Sequence, residues 1–170
     1  GKAVTARVDM GKPILKSSDI PVVCDSEKCI NQKVTFGDRE FNMTCVSMGN
    51  PHAVMIIDER PSEFDLNKYG GIAEQDTSLF PDRVNAEFAK IIDRSNVEMR
   101  VYERGAGETL ACGTGACATA VSAILNGYCD NKVTVHLLGG DLLIEWSGNE
   151  NDSVIMTGPA EYAFTGEVEI

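Results

Sequence analysis

The stretch over residues 113–125 constrains the fold of this chain more than any other. Read at 3.6 residues per turn, Ala116, Cys117, Ala118, Ala120, Val121, Ala123, Ile124 and Leu125 leave it almost no polar side. A helix that is apolar all round belongs inside a protein, not on its surface. Asn126-Gly127 is a plausible C-cap pair to end it. Its small side chains allow close packing by whatever surrounds it, and the rest of the sequence reads mainly as strands. Residues 3–10 alternate, 32–36 and 41–48 bracket a Gly37-Asp38 turn, and 54–57, 84–92, 97–103, 133–138, 142–146 and 154–157 are short strand-like runs. A second, shorter helix is expected over 66–74. With 170 residues, 43% of them hydrophobic, the chain can bury a core of its own. The simplest arrangement is an α+β domain with strands wrapped around one central buried helix.

The residue that heads this helix is Cys112, reached through a glycine-rich turn. The first N–H groups of a helix have no partner within it and the macrodipole makes that end positive, so an anion is favoured there. Such a setting lowers a thiol's pKa, and Cys112 is therefore expected to be the most readily alkylated of the six cysteines. Glu103-Arg104 ends a strand just before the glycine turn, beside this thiol. Gly49-Asn50-Pro51-His52 lies between two strand runs and, taken alone, reads as a turn.

Several chemistries are disfavoured. The cysteines at 24, 29, 45, 112, 117 and 129 show no disulfide-framework spacing. No C-x-x-C pair is present and His52 and His136 complete no familiar ligand set, so no metal is expected. Gly113-x-Gly115-x-x-Ala118 matches the loose dinucleotide fingerprint but lacks the acidic residue after the following strand. A formal charge of −11 argues against nucleic acid and anionic membranes as partners. No apolar run approaches the ~18 residues of a membrane span, and the first residues lack the apolar core of a signal peptide. A soluble cytoplasmic protein is expected.

Taken together, Gly49-Asn50-Pro51-His52, Val84-Asn85, Glu103-Arg104-Gly105-Ala106-Gly107-Glu108-Thr109 and Ala111-Cys112-Gly113-Thr114-Gly115 resemble the diaminopimelate epimerase family. The resemblance implies largely antiparallel strands curled as a barrel around the central helix at about 113–125. It implies a cofactor-independent inversion at an α-carbon, interconverting LL- and meso-diaminopimelate for lysine and peptidoglycan synthesis. One cysteine removes the α-proton as thiolate while a second delivers a proton to the opposite face. By position Cys112 matches the second of these, with Glu103 as its supporting carboxylate and His52 assisting the other thiol. The amides of Cys112, Gly113 and Thr114 would hold the reacting carboxylate, and Asn50, Asn85, Glu103 and Arg104 match substrate-binding positions.

The family's first half, with its Cys-Gly-Asn-Gly cysteine, has no counterpart among these residues. None of Cys24, Cys29 and Cys45 fits that motif. The chain thus reads as a C-terminal half, 1–157, whose partners are a small-molecule substrate and the missing N-terminal half, and it leaves room for a homodimer. Residues 158–170, set off by Gly158-Pro159, are expected to form strands that pair with the missing half. Two rival readings remain at this point: a cysteine hydrolase using Cys112 and His52, and a non-catalytic binding domain.

Overall fold

A computed structural model describes residues 4–161 and 164–168. Ten strands form one sheet: β1 (Thr5–Asp9), β2 (Gln32–Phe36), β3 (Arg39–Ser47), β4 (Pro51–Ile56), β5 (Asn85–Asp93), β6 (Asn96–Glu103), β7 (Gly107–Thr109), β8 (Lys132–Leu137), β9 (Gly140–Glu145) and β10 (Ile155–Pro159). Two α-helices accompany them, α1 (Leu66–Gln75) and α2 (Gly113–Leu125). The strand order is β1-β10-β9-β8-β6-β5-β4-β3-β2, with β7 paired to the C-terminal half of β6. The pairs β4–β5 and β6–β8 are parallel and the remainder antiparallel.

A parallel pair needs a crossover, and each helix lies on one. α1 lies between β4 and β5, and α2 between β6 and β8. They cover opposite faces of the sheet, which the period-2 alternation of the central strands makes possible. On β5, Ala86 and Phe88 join Leu66 and Ala73 of α1 in an aromatic-rich core, whereas Ala89 faces the core built on α2. On β6, Val97, Met99 and Val101 face α2, and Tyr102 packs on the α1 side.

The central helix is present as expected, but the expected barrel is not: β1 and β2 are open ends of the sheet. The cause is local. Between these ends residues 10–14 make only short links, Met10 N–H to the Val154 carbonyl with Val154 N–H to the Gly11 carbonyl, and an isolated bridge in which Ile14 and Ser47 exchange both backbone hydrogen bonds. Gly11, at φ 79°, and Pro13, which has no N–H, prevent a continuous ladder there. Leu15 and Met10 nevertheless pack onto the α2 core from this segment. At the other end of the chain, Gly158 and Pro159, expected to open a separate tail, pair with Ala6 and Thr5. Residues 164–168 form no strand, and residues 162, 163, 169 and 170, also expected in strands, lie outside the described residues.

α1 sits close enough to the sheet to require glycine at one of its two adjacent glycines. A Cβ on Gly70 would stand 2.6 Å from Cβ of Tyr102, whereas one on Gly71 would come no nearer than 3.6 Å to that residue's hydroxyl. Gly70→Ala should therefore destabilise the protein by about 1–3 kcal/mol through overpacking. Gly71→Ala should stabilise it by up to about 1 kcal/mol through helix propensity. Denaturant titration of the two variants checks the contrast; equal effects would contradict it.

Candidate active site

Strand direction brings the predicted residues to one end of the sheet. β4 and β5 are parallel and β6 runs against β5, so the start of β4 (His52), the start of β5 (Asn85) and the end of β6 (Glu103) lie together. The N-terminus of α2, which packs against β4, β5 and β6, reaches the same region.

Cys112 is the N-cap of α2: its backbone is extended, and Sγ accepts a hydrogen bond from the Gly115 amide at 3.4 Å. The thiol also lies 3.5 Å from Thr114 Oγ1. The amides of Cys112, Gly113 and Thr114 have no hydrogen-bond partner among the described residues. Gly113 and Thr114 are half-buried, and amides without partners at a helix N-terminus suit an anion. Cys112 itself is 8% exposed. Burial pushes its thiol above the ordinary value, with Glu87 and Glu103 adding to the rise, and this outweighs the hydrogen bonds from Thr114 and Gly115. The expected thiolate is thus not the form this environment favours: the cover over the sulfur outweighs the helix terminus.

His52 is fully buried. Its Nδ1 lies 2.6 Å from Glu87 Oε1 and its Nε2 3.0 Å from Asn50 Oδ1. Burial pulls His52 down to about 3, with Glu103 opposing the drop. Burial likewise pushes the carboxyl of Glu87, on β5, well above the usual carboxylate range, and Glu103 adds to it. Both shifts favour the uncharged form of each group. Glu87 was absent from the sequence-based set, although a glutamate in the otherwise apolar run Ala86-Glu87-Phe88-Ala89 is a visible anomaly. It also explains Gly115: a Cβ there would stand 2.8 Å from Glu87 Oε1 and 3.2 Å from Cys112 Sγ.

The remaining predicted residues are held by the backbone and by one another. Asn85 is buried; its Nδ2 donates to the Pro51 carbonyl at 2.9 Å and its Oδ1 accepts from the Arg104 amide at 3.0 Å. The Arg104 guanidinium is exposed and donates to the Asp82 carbonyl. Glu103 accepts from the Thr109 hydroxyl, a contact made possible by the short strand β7. A further residue that sequence reading passed over, Glu74 on α1, is buried and accepts from the Gly105 amide at 3.0 Å while pairing with Arg83. It anchors the turn that carries Arg104. The structure does not join Cys112 to His52: the thiol's partners are Thr114 and Gly115, and both ring nitrogens are engaged elsewhere. Beside the site, Leu110 and Leu138 are 69% and 57% exposed. They border a groove of about 580 Å³ that Arg100, Glu108 and Thr109 also line.

Burial sets thiol reactivity in this chain. Cys24 is half-exposed and the other five cysteines are buried. Limiting iodoacetamide should label Cys24 first, not Cys112; peptide mass mapping checks it, and first labelling at Cys112 would contradict the burial argument.

The sequence profile described as diaminopimelate epimerase matches residues 44–163. Over 170 residues the chain is 55% identical to the diaminopimelate epimerase of Acetivibrio thermocellus and 52% identical to that of Methanococcus maripaludis, covering all of this chain and 60% of each relative. The fold resembles a hydroxyproline epimerase from Agrobacterium vitis, with a TM-score of 0.65 at 12% identity, over 92% of this chain and 50% of that one. It also resembles a probable proline racemase from Agrobacterium radiobacter, with a TM-score of 0.64 at 12% identity, over 98% of this chain and 54% of that one. The chain spans 60% of the length of the curated relatives it matches. A profile match over most of the residues, and identity above one half to proteins of a single description, show that this chain belongs to the diaminopimelate epimerase family.

Proposed function

We propose that this chain supplies one face of a site that inverts the α-carbon of diaminopimelate without a cofactor, the other face coming from an N-terminal half. The reading rests above all on the head of α2, where a capping thiol stands beside three amides without partners. An α-carboxylate seated on those amides gains charge as the α-carbanion develops, and preorganised N–H donors stabilise that charge most in the transition state. Cys112, held protonated by its surroundings, delivers a proton to the carbanion; in the reverse direction it takes one back. Glu103 lies close enough to act on the thiol electrostatically and orients the local turn through Thr109. Asn50 and Arg104 lie at the rim, where a planar guanidinium suits the substrate's distal carboxylate.

The hydrolase reading needs a Cys–His pair, and the ring of His52 is committed to Glu87 and Asn50 instead. The half-site reading is supported by the exposed Leu110 and Leu138 beside the thiol, an apolar surface of the kind a second domain covers. On this reading the enzyme is cytoplasmic, and its product feeds lysine and peptidoglycan synthesis.

Inversion needs proton groups on both faces, so this chain alone should not exchange the α-proton of diaminopimelate with deuterated water. Joined to the N-terminal part of a relative, it should do so, and Cys112→Ala should lower the rate by at least about 100-fold. Mass spectrometry of the recovered amino acid reads the exchange. Turnover by the chain alone, or full activity of the variant, would overturn the reading.

A further inference from the structure

Three of the six cysteines converge on the α1-side core, on the sheet face away from Cys112. Cys24 is the accessible one: it is half-buried, follows the exposed Val23, and borders a groove of about 310 Å³ that Lys16, Ser18 and Glu27 also line. Gln32 Oε1, on β2, accepts from the Cys24 thiol at 2.7 Å and lies 3.7 Å from Cys29 Sγ. One oxygen thus gathers an accessible sulfur and a buried one. Cys29 in turn lies within hydrogen-bond reach of Cys45 on β3, whose amide donates to the Cys29 carbonyl at 2.9 Å. The segment that joins Cys24 to Cys29 is itself held. The Ser26 carbonyl accepts from the Ser17 hydroxyl at 3.1 Å, the Glu27 carbonyl accepts from the Ser17 amide at 2.8 Å, and Lys28 bridges Lys16.

We propose that Cys24 and Cys29 form a reversible redox pair that hydrogen peroxide closes to a disulfide. The accessible sulfur reacts first. Cys24, as thiolate, attacks one peroxide oxygen; the O–O bond breaks, the other oxygen leaves as hydroxide and takes the thiol's proton to become water, and Cys24 is left as a sulfenic acid. The Cys29 sulfur then attacks the Cys24 sulfur, the S–O bond breaks, and the hydroxide leaves as water with the Cys29 proton. Over both steps the two thiols lose two electrons and two protons, and one peroxide is reduced to two waters. Cys45 sets the roles. Its thiol donates to Cys29 and holds it below the ordinary thiol value, burial opposing, whereas the bond to Cys29 and full burial push Cys45 itself well above that value. Cys29 is therefore the nucleophile that resolves the sulfenic acid, and Cys45 keeps its proton and stays reduced. Closure also spares Cys24 further, irreversible oxidation. Cys112, Cys117 and Cys129 lie in the other core, so the pair is separate from the proposed active site.

Trypsin reads the pairing directly, because cuts after Lys16, Lys28, Lys33 and Arg39 leave Cys24, Cys29 and Cys45 on three different peptides. The reduced, folded chain is treated with hydrogen peroxide, its remaining thiols are alkylated after unfolding, and the digest is measured by mass spectrometry. The expected product is peptide 17–28 joined to peptide 29–33, lighter than the two together by two hydrogens and separated again by dithiothreitol. Cys45, Cys112, Cys117 and Cys129 should all be recovered alkylated. Cys29→Ser should abolish the joined product and leave Cys24 as a sulfenic acid that dimedone captures. The wild-type linkage is read independently of how well that variant folds. A wild-type Cys24 that proceeds to sulfinic acid without a linked peptide, that links to any other cysteine, or that stays reduced while other cysteines oxidise would overturn the proposal.

Discussion

The burial of α2 governs the rest of this molecule. Its residues 115–123 are all buried, and most are small, so the sheet must bend around the helix and approach it closely. Strands β3, β4, β5, β6, β8 and β9 all touch it. A helix enclosed in this way has its N-terminus delivered to a fixed place inside the structure, with first-turn amides that the surrounding strands do not satisfy. The catalytic geometry proposed for Cys112, Gly113 and Thr114 is therefore a consequence of core packing. Side chains on that helix and dipoles at its end are positioned by the same contacts.

A second consequence concerns charge. The strands that enclose α2 also carry His52 and Glu87 into the core, where neither is stable alone in its charged form. Placed 2.6 Å apart, they share one hydrogen bond, and burial favours their uncharged forms. Glu103, two residues beyond Val101 on the same face of β6, keeps its contact with Thr109 and adds a field felt by Cys112, His52 and Glu87 alike. The site is thus organised by desolvation as much as by direct contacts, which is why its groups are shifted in opposite directions across a small volume.

The central helix and most strands were legible because apolar periodicity reports burial directly, and the sheet end that gathers Asn50, His52, Asn85, Glu103, Arg104 and Cys112 was legible through spaced motifs. What was lost depends on tertiary cover. Strand β7 is three residues inside a glycine-rich motif and has no periodicity to detect. The opening of the sheet depends on Gly11 and Pro13, which look like ordinary turn residues until the ladder they interrupt is known. The environment of Cys112 was legible in part: the helix N-terminus and the opposing Glu103 are visible in sequence, whereas the burial that raises the thiol most is not. Glu87 was visible as an acidic residue in an apolar strand; its partner, on a strand 35 residues away in the chain, was not.

The central claim is that the head of α2 receives the reacting carboxylate. The most direct measurement is an amide-resolved titration of the joined two-domain protein with diaminopimelate, following the N–H resonances of Cys112, Gly113 and Thr114. The account predicts that these three shift downfield together and saturate at one ligand concentration. Saturable binding that leaves them unmoved, with shifts confined to other parts of the protein, would contradict it.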